Sequence, residues 1–314
     1  MIEVSELTKR YGNTLAVDRL TFTVQPGQVT GFLGPNGAGK STTMRMILGL
    51  DIPTGGWATI DRKPLADHAR PLRVVGALLE ARAIHPGRTA RNHLRSLAET
   101  HGISRARVDE VIDLAGLDRV ADRRVRSFSL GMGQRLGVAS ALLGDPQTLI
   151  LDEPVNGLDP DGVRWIRQLL RRLADEGRTI FLSSHLMSEM AVTADHIVVV
   201  GRGRLLRDMP MRDLIAESSR RTVRVRTPLA ERLSDELRRP GVTIRVGADG
   251  ESLEVEGLTT DDIGWAASRS AIPILELTDV QGSLEDAYMT LTSDDVEYRG
   301  SQDPDTRGEP GAAA

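Results

Sequence analysis

Residues 34–42 read Gly34-Pro35-Asn36-Gly37-Ala38-Gly39-Lys40-Ser41-Thr42, directly after an apolar run over 29–33 and directly before a run with helical character over 43–48. The order is strand, glycine loop, helix. Glycines let consecutive backbone N–H groups turn inward around an anion, and a helix beginning near Gly39 aims its positive end at the same point. Lys40 adds a mobile charge and Ser41 a hydroxyl. The spacing Gly34-x4-Gly39-Lys40-Ser41 is that of a polyphosphate-binding loop, in which the lysine meets the β- and γ-phosphates and the hydroxyl ligates Mg²⁺. The flanking strand and helix separate it from a chance glycine turn.

A polyphosphate needs a metal holder and, if it is cleaved, a group that orients water. Residues 148–151 are apolar and run straight into Asp152 and Glu153. Two adjacent carboxylates at the end of a buried strand cost desolvation energy that structure alone rarely repays. Asp152 fits the metal holder and Glu153 the water-orienting base. A second apolar run, 179–182, ends at Ser183-Ser184-His185. His185 is either a satisfied structural histidine or, if the two strands are neighbours, a third group on the same crevice.

Elsewhere the readings stay open. Ser127-Phe128-Ser129-Leu130-Gly131-Met132-Gly133-Gln134-Arg135 opens an apolar-striped helix through Leu143. Ser129 is either its N-cap or part of a second anion site. One chain with two such sites needs two phosphates or two copies of itself. Tyr11, between apolar segments over 2–7 and 20–24, is either a half-buried hairpin aromatic or a flat platform for a base. Those segments, with 57–60, predict a small antiparallel sheet. Residues 74–80 predict a buried strand ending on Glu80. From 89 to about 125 the apolar spacing predicts a helical insert, with its charges on solvated faces. A helix over 162–176 and a strand with hairpin over 194–204 close this part of the chain.

Composition excludes several classes. The 314 residues are 40% hydrophobic, enough for real cores. Without cysteine there are no disulfides or thiolate metal sites. The 40 basic and 44 acidic residues leave a formal charge of −4, which argues against a nucleic-acid partner. The first residues lack a basic and apolar leader, and runs such as 197–200 are too short to span a bilayer. A cytoplasmic protein is expected, with any membrane role borrowed from a partner.

Taken together, Tyr11, residues 34–42, Glu80, Ser129 to Gln134, Asp152-Glu153, residues 156–159 and His185 occur in the order and approximate spacing of ATP-binding cassette (ABC) ATPases. The chain resembles that family over about residues 1–210. In wording it looks most like the single-cassette subunits of bacterial drug exporters of the daunorubicin/doxorubicin type. The resemblance implies a P-loop NTPase α/β cassette with a mixed sheet core, an antiparallel β subdomain and a helical insert over about 82–135. It implies ATP and Mg²⁺ as cofactors, Tyr11 stacked on adenine with Val17 beside it, Lys40 and Glu153 at the chemistry, and His185 on the γ-phosphate. Ser41, Asp152 and Glu80 are its metal residues. Ser129 and Gly131 are implied to contact ATP held by a second copy in a head-to-tail dimer, with Asp159 communicating across it. Separate membrane permease subunits, of ABC-2 type, and a peripheral place at the cytoplasmic membrane face follow from the same likeness. Two departures stand out. The usual Leu-Ser-Gly-Gly-Gln is here Phe128-Ser129-Leu130-Gly131-Met132, and Glu80 stands where glutamine is usual. A soluble cassette ATPase not coupled to transport, or an ATP-gated binding module, is the alternative.

Beyond residue 212 the pattern is strand 222–226, helix 229–238, strand 242–246, strand 252–256, helix 260–269 and strand 272–277. This β-α-β-β-α-β order predicts a ferredoxin-like α+β domain over 212–292, ending in a helix over 283–291. A tail rich in Asp, Gly, Pro and Ala over 293–314 is expected to be disordered.

Overall fold

The computed structural model describes residues 1–80, 84–218, 221–247 and 249–281. The helix expected over 283–291 and the tail after 292 lie outside the described residues. The elements run β1 (Ile2–Tyr11), β2 (Thr14–Val24), β3 (Val29–Leu33), α1 (Lys40–Ile47), β4 (Gly55–Ile60), α2 (Pro71–Val74) and β5 (Val75–Leu78). Then come α3 (Ala90–Thr100), α4 (Arg105–Leu114), α5 (Leu130–Leu142), β6 (Thr148–Leu151), α6 (Pro160–Asp175), β7 (Thr179–Ser184), α7 (Met187–Thr193), β8 (His196–Gly201), β9 (Arg204–Pro210) and α8 (Met211–Ser218). The last are β10 (Arg221–Arg226), α9 (Ala230–Leu237), β11 (Thr243–Val246), β12 (Ser252–Glu256), α10 (Thr260–Arg269) and β13 (Glu276–Gln281).

The central sheet has the order β5-β6-β7-β3-β8-β9. Its neighbours are parallel except for the β8–β9 hairpin. Strands β3, β6 and β7 are buried at every position, which is why they read as unbroken apolar runs: both faces of a parallel sheet are covered. The antiparallel sheet β2-β1-β4 lies against one face. Three of the chain's four phenylalanines join the two layers: Phe22 of β2 meets Phe32 of β3 and Phe181 of β7, with ring centroids 5.1 to 5.7 Å apart.

The other face is covered by α5, α6 and the helical insert in one core that includes Leu94, Val108, Ile112 and Leu117. α3 and α4 begin with conventional caps, Thr89 accepting from the Asn92 N–H and Ser104 from the Arg107 N–H. Arg135 reaches back to the insert, donating to the Ala115 carbonyl while its guanidinium lies 4.3 Å from the Trp165 ring centroid.

The third sheet, β11-β12-β10-β13, is antiparallel throughout and has its own core between Val223 and Ile272. Its order is that of the split β-α-β-β-α-β arrangement. Its last strand starts at Glu276, four residues later than the sequence pattern suggests. Ile272 is instead the buried anchor that closes α10: its N–H donates to the Ala267 carbonyl, and Ala271 before it is left-handed at φ 51°.

Candidate functional site

The carboxyl ends of β6, β7 and β3 lie side by side, because these strands are consecutive and parallel in the sheet. Asp152-Glu153, His185 and the loop from Gly34 therefore emerge on one edge, although they are far apart in sequence. A cavity of about 320 Å³ opens there, lined by Ala16, residues 36–42, Leu79, Asp152 and Glu153.

The loop is shaped for an anion. Gly39 precedes α1 with φ 94°, a conformation open to glycine, and a Cβ there would stand 2.5 Å from the Ala16 carbonyl oxygen. No side chain caps α1, so its first N–H groups are available to a ligand. Lys40 is 7% exposed, and its ammonium donates to the carbonyls of Gly34 (2.6 Å) and Pro35 (3.1 Å). Burial pulls its pKa below the ordinary range, while the nearby Glu153 and Asp152 carboxylates oppose that shift. The positive loop and the acidic strand end thus already feel one another.

Glu153 is the most constrained residue at this edge. Its backbone is left-handed at φ 49°, costly for a residue with a Cβ. Three neighbours hold it. The Ser183 hydroxyl accepts from the Glu153 N–H (2.9 Å) and donates to Asp152 Oδ1; Gln134 Nε2 donates to the Glu153 carbonyl (2.9 Å). His185 Nδ1 lies 2.9 Å from Glu153 Oε2. An ionised carboxylate only accepts, so in that pair the imidazole carries its proton on Nδ1. Sequence reasoning assigned no role to Ser183 or Gln134. Their signal was a buried hydroxyl at the end of an apolar strand and a buried amide in the first turns of α5.

Behind this pair, Glu189 of α7 has one carboxylate oxygen buried without a partner, and burial together with the Glu153 charge pushes its pKa up. Among the described residues no group of three or more His, Asp or Glu converges as a metal cage. Ser41 and Asp152 share the cavity, but Glu80 is exposed and outside its lining.

Tyr11 is 48% exposed at the β1–β2 hairpin, with its hydroxyl 3.1 Å from Asp51 Oδ2. Val17 needs a correction: it is fully buried, and its Cγ2 would be 3.2 Å from a Cβ at Gly39, so it supports the loop from behind. Its neighbour Ala16 reaches the cavity instead.

Ser129 and Gly131 face elsewhere. They start α5, where the Ser129 hydroxyl accepts from the Met132 N–H (3.2 Å) as an N-cap. Ser129 lines a separate, largely apolar cavity of about 290 Å³ with Ile84, Pro86, Val125 and Phe128 among its walls. Gly131 packs near the Gly157 carbonyl, and Asp159 caps α6 by accepting from the Gly162 N–H (2.8 Å). The structure brings loop, Asp152, Glu153 and His185 together, and leaves the Ser129 motif outside that group.

A phosphate loop on a parallel sheet, with paired carboxylates and a histidine at the neighbouring strand ends, defines a P-loop ATPase of the ATP-binding cassette class. The sequence comparisons agree: residues 17–156 match the ABC transporter family model, and residues 221–285 match a domain family of unknown function. The bacitracin transport ATP-binding protein of Bacillus licheniformis is 44% identical over 213 residues, 67% of this chain and 70% of that protein. The lantibiotic transport ATP-binding protein of Streptococcus pyogenes is 34% identical over 206 residues, 66% of this chain and 89% of that protein. A solved ATP-binding cassette, dimeric and bound to ADP and Pi after hydrolysis, superposes with a TM-score of 0.62 at 26% identity, covering 68% of this chain and 99% of that one. The chain belongs to the ATP-binding cassette family of transporter ATPases. It binds and hydrolyses ATP. Among the described residues no helix is long and apolar enough to cross a membrane.

Proposed function

We propose that this chain powers export of an antibiotic-like molecule through separate membrane subunits of the ABC-2 type, from a peripheral position at the cytoplasmic face. The bacitracin and lantibiotic transport relatives support that reading. The nucleotide unit spans residues 1–211, with an accessory unit beyond 212.

ATP enters with its phosphates on the N–H groups of residues 36–42, and Lys40 exchanges the Gly34 and Pro35 carbonyls for phosphate oxygens. Ser41 and Asp152 would hold Mg²⁺, which would neutralise charge on the phosphate oxygens. The sparse donor set fits this ion, which takes one or two protein ligands and completes its shell with phosphate and water. Glu80, outside the cavity lining, would act on that shell through water. Glu153 accepts from the attacking water and orients it, and His185 holds the carboxylate while its second nitrogen meets the γ-phosphate. Ser129 and Gly131 of a second copy cover the phosphates from the open side, in a head-to-tail dimer with Asp159 near the seam.

The observation that carries this reading is the geometry of Glu153, held in a costly backbone conformation by Ser183, Gln134 and His185 at the mouth of the loop cavity. Substituting Glu153→Gln should lower ATP turnover about 100-fold or more and trap an ATP-bound dimer on size exclusion. A variant that binds ATP yet stays strictly monomeric would contradict the dimer mechanism.

A further inference from the structure

Tyr11 is bound into a polar cluster that the nucleotide reading does not use. Its hydroxyl donates to Asp51 Oδ2 (3.1 Å), and the same oxygen takes a 2.8 Å bond from Arg45 Nε. The Lys9 ammonium lies 4.9 Å from the Tyr11 ring centroid and donates to the Ile52 carbonyl (2.6 Å). Lys9 and Tyr11 are two apart on β1, so both side chains stand on one face of the sheet. The two anchors share an origin: Arg45 is on α1, and Asp51 and Ile52 belong to the turn that follows it. That turn is itself tied to β1, the Thr54 N–H donating to the Thr8 carbonyl (2.8 Å).

Three consequences follow. The cation over the ring is attracted by its π-face and restrains the plane. The hydroxyl, occupied by Asp51, cannot rotate freely or read a base edge. Arg45, which shares Asp51 with the ring hydroxyl, lies on α1, the helix whose first residues, Lys40 to Thr42, line the phosphate cavity. An exposed tyrosine would otherwise lose side-chain entropy on stacking with a ligand.

We propose that Asp51, with Arg45 and Lys9, is a positioning clamp that holds the Tyr11 ring as a pre-set nucleobase platform at a fixed offset from the phosphate loop. The clamp rests on the nucleotide reading given above. It acts through Tyr11 and touches no phosphate, so it affects the base end of ATP alone. Because α1 carries the phosphate cradle at its amino end and the clamp at its carboxyl end, the helix itself sets the distance between the two.

The test compares ATP with inorganic tripolyphosphate, which has the phosphates and no base. Asp51→Ala and Tyr11→Phe should each raise the KM for ATP about fivefold with kcat unchanged, since part of the stacking contribution is lost. The inhibition constant of tripolyphosphate should stay at the wild-type value in both. The double variant should be no worse than either single one, because both remove the same contact. Lys9→Met should give the same pattern to a smaller extent.

Wild-type KM for ATP in Asp51→Ala, or an additive double variant, would overturn the clamp. An equal loss of tripolyphosphate binding would also overturn it, by showing that Asp51 merely supports the α1 fold. Failure of the wild-type protein to bind either ligand would instead strike the nucleotide reading beneath it.

Discussion

The phosphate loop and the Ser129 motif are built alike and placed differently. Each is a glycine-containing start of a helix, yet the Gly34–Lys40 loop has its N–H groups uncapped and carboxylates across the cavity, while the Ser129 motif spends its hydroxyl on its own cap. The first therefore leaves its N–H groups open to a ligand, while the second has one of its own, that of Met132, already satisfied. The two line separate cavities. On the proposed head-to-tail reading, one copy folds half of a nucleotide site around its own loop. The Ser129 motif would then act from a second chain.

The comparison breaks most sharply at Lys40. Lys40→Ala should abolish measurable ATPase activity, at least about 100-fold, and weaken ATP binding by the isolated chain. Ser129→Ala should behave otherwise: turnover falls steeply, but nucleotide binding by dilute, monomeric protein is unchanged by equilibrium dialysis. Its lost cap should also lower unfolding stability by about 1 kcal/mol, visible in urea titration. If Ser129→Ala weakened monomer binding as Lys40→Ala does, the two motifs would share a site within one chain.

The loop side was legible in sequence because its chemistry is contiguous: residues 34–42 carry the cradle, and Asp152-Glu153 are adjacent. The central sheet was legible because burial on both faces writes continuous apolar runs, and the antiparallel sheet because its strands mix buried apolar and more exposed positions. What could not be read is what depends on strands meeting. Ser183 bonds both Asp152 and Glu153 only because β6 and β7 pair, and Gln134 reaches the Glu153 carbonyl only because α5 packs on that sheet. Val17 looked like a base contact, but β2 turns it under Gly39 and away from the cavity. In the third sheet, Ile272 looked like strand because it is apolar and β-branched, and tertiary packing gave it to the end of α10.

The smallest expected effect lies behind the Glu153–His185 pair. Burial and the Glu153 charge raise the Glu189 pKa in the folded protein, so its neutral form is favoured there. Folding is therefore unaffected by this group below the unfolded pKa and loses stability as pH rises through the range up to the folded value. Glu189→Gln should therefore melt slightly higher than wild type at pH 8 and equal to it near pH 3. A difference that persisted at acid pH would point to packing instead of charge.

The half-site account is tested most directly by mixing two inactive proteins, Lys40→Ala and Ser129→Ala, and measuring ATPase rate. In a head-to-tail heterodimer one site combines both defects, and the other combines an intact loop with an intact Ser129 motif. Random pairing then restores on the order of a quarter of the wild-type rate. A mixture no more active than the sum of its two components would contradict the account.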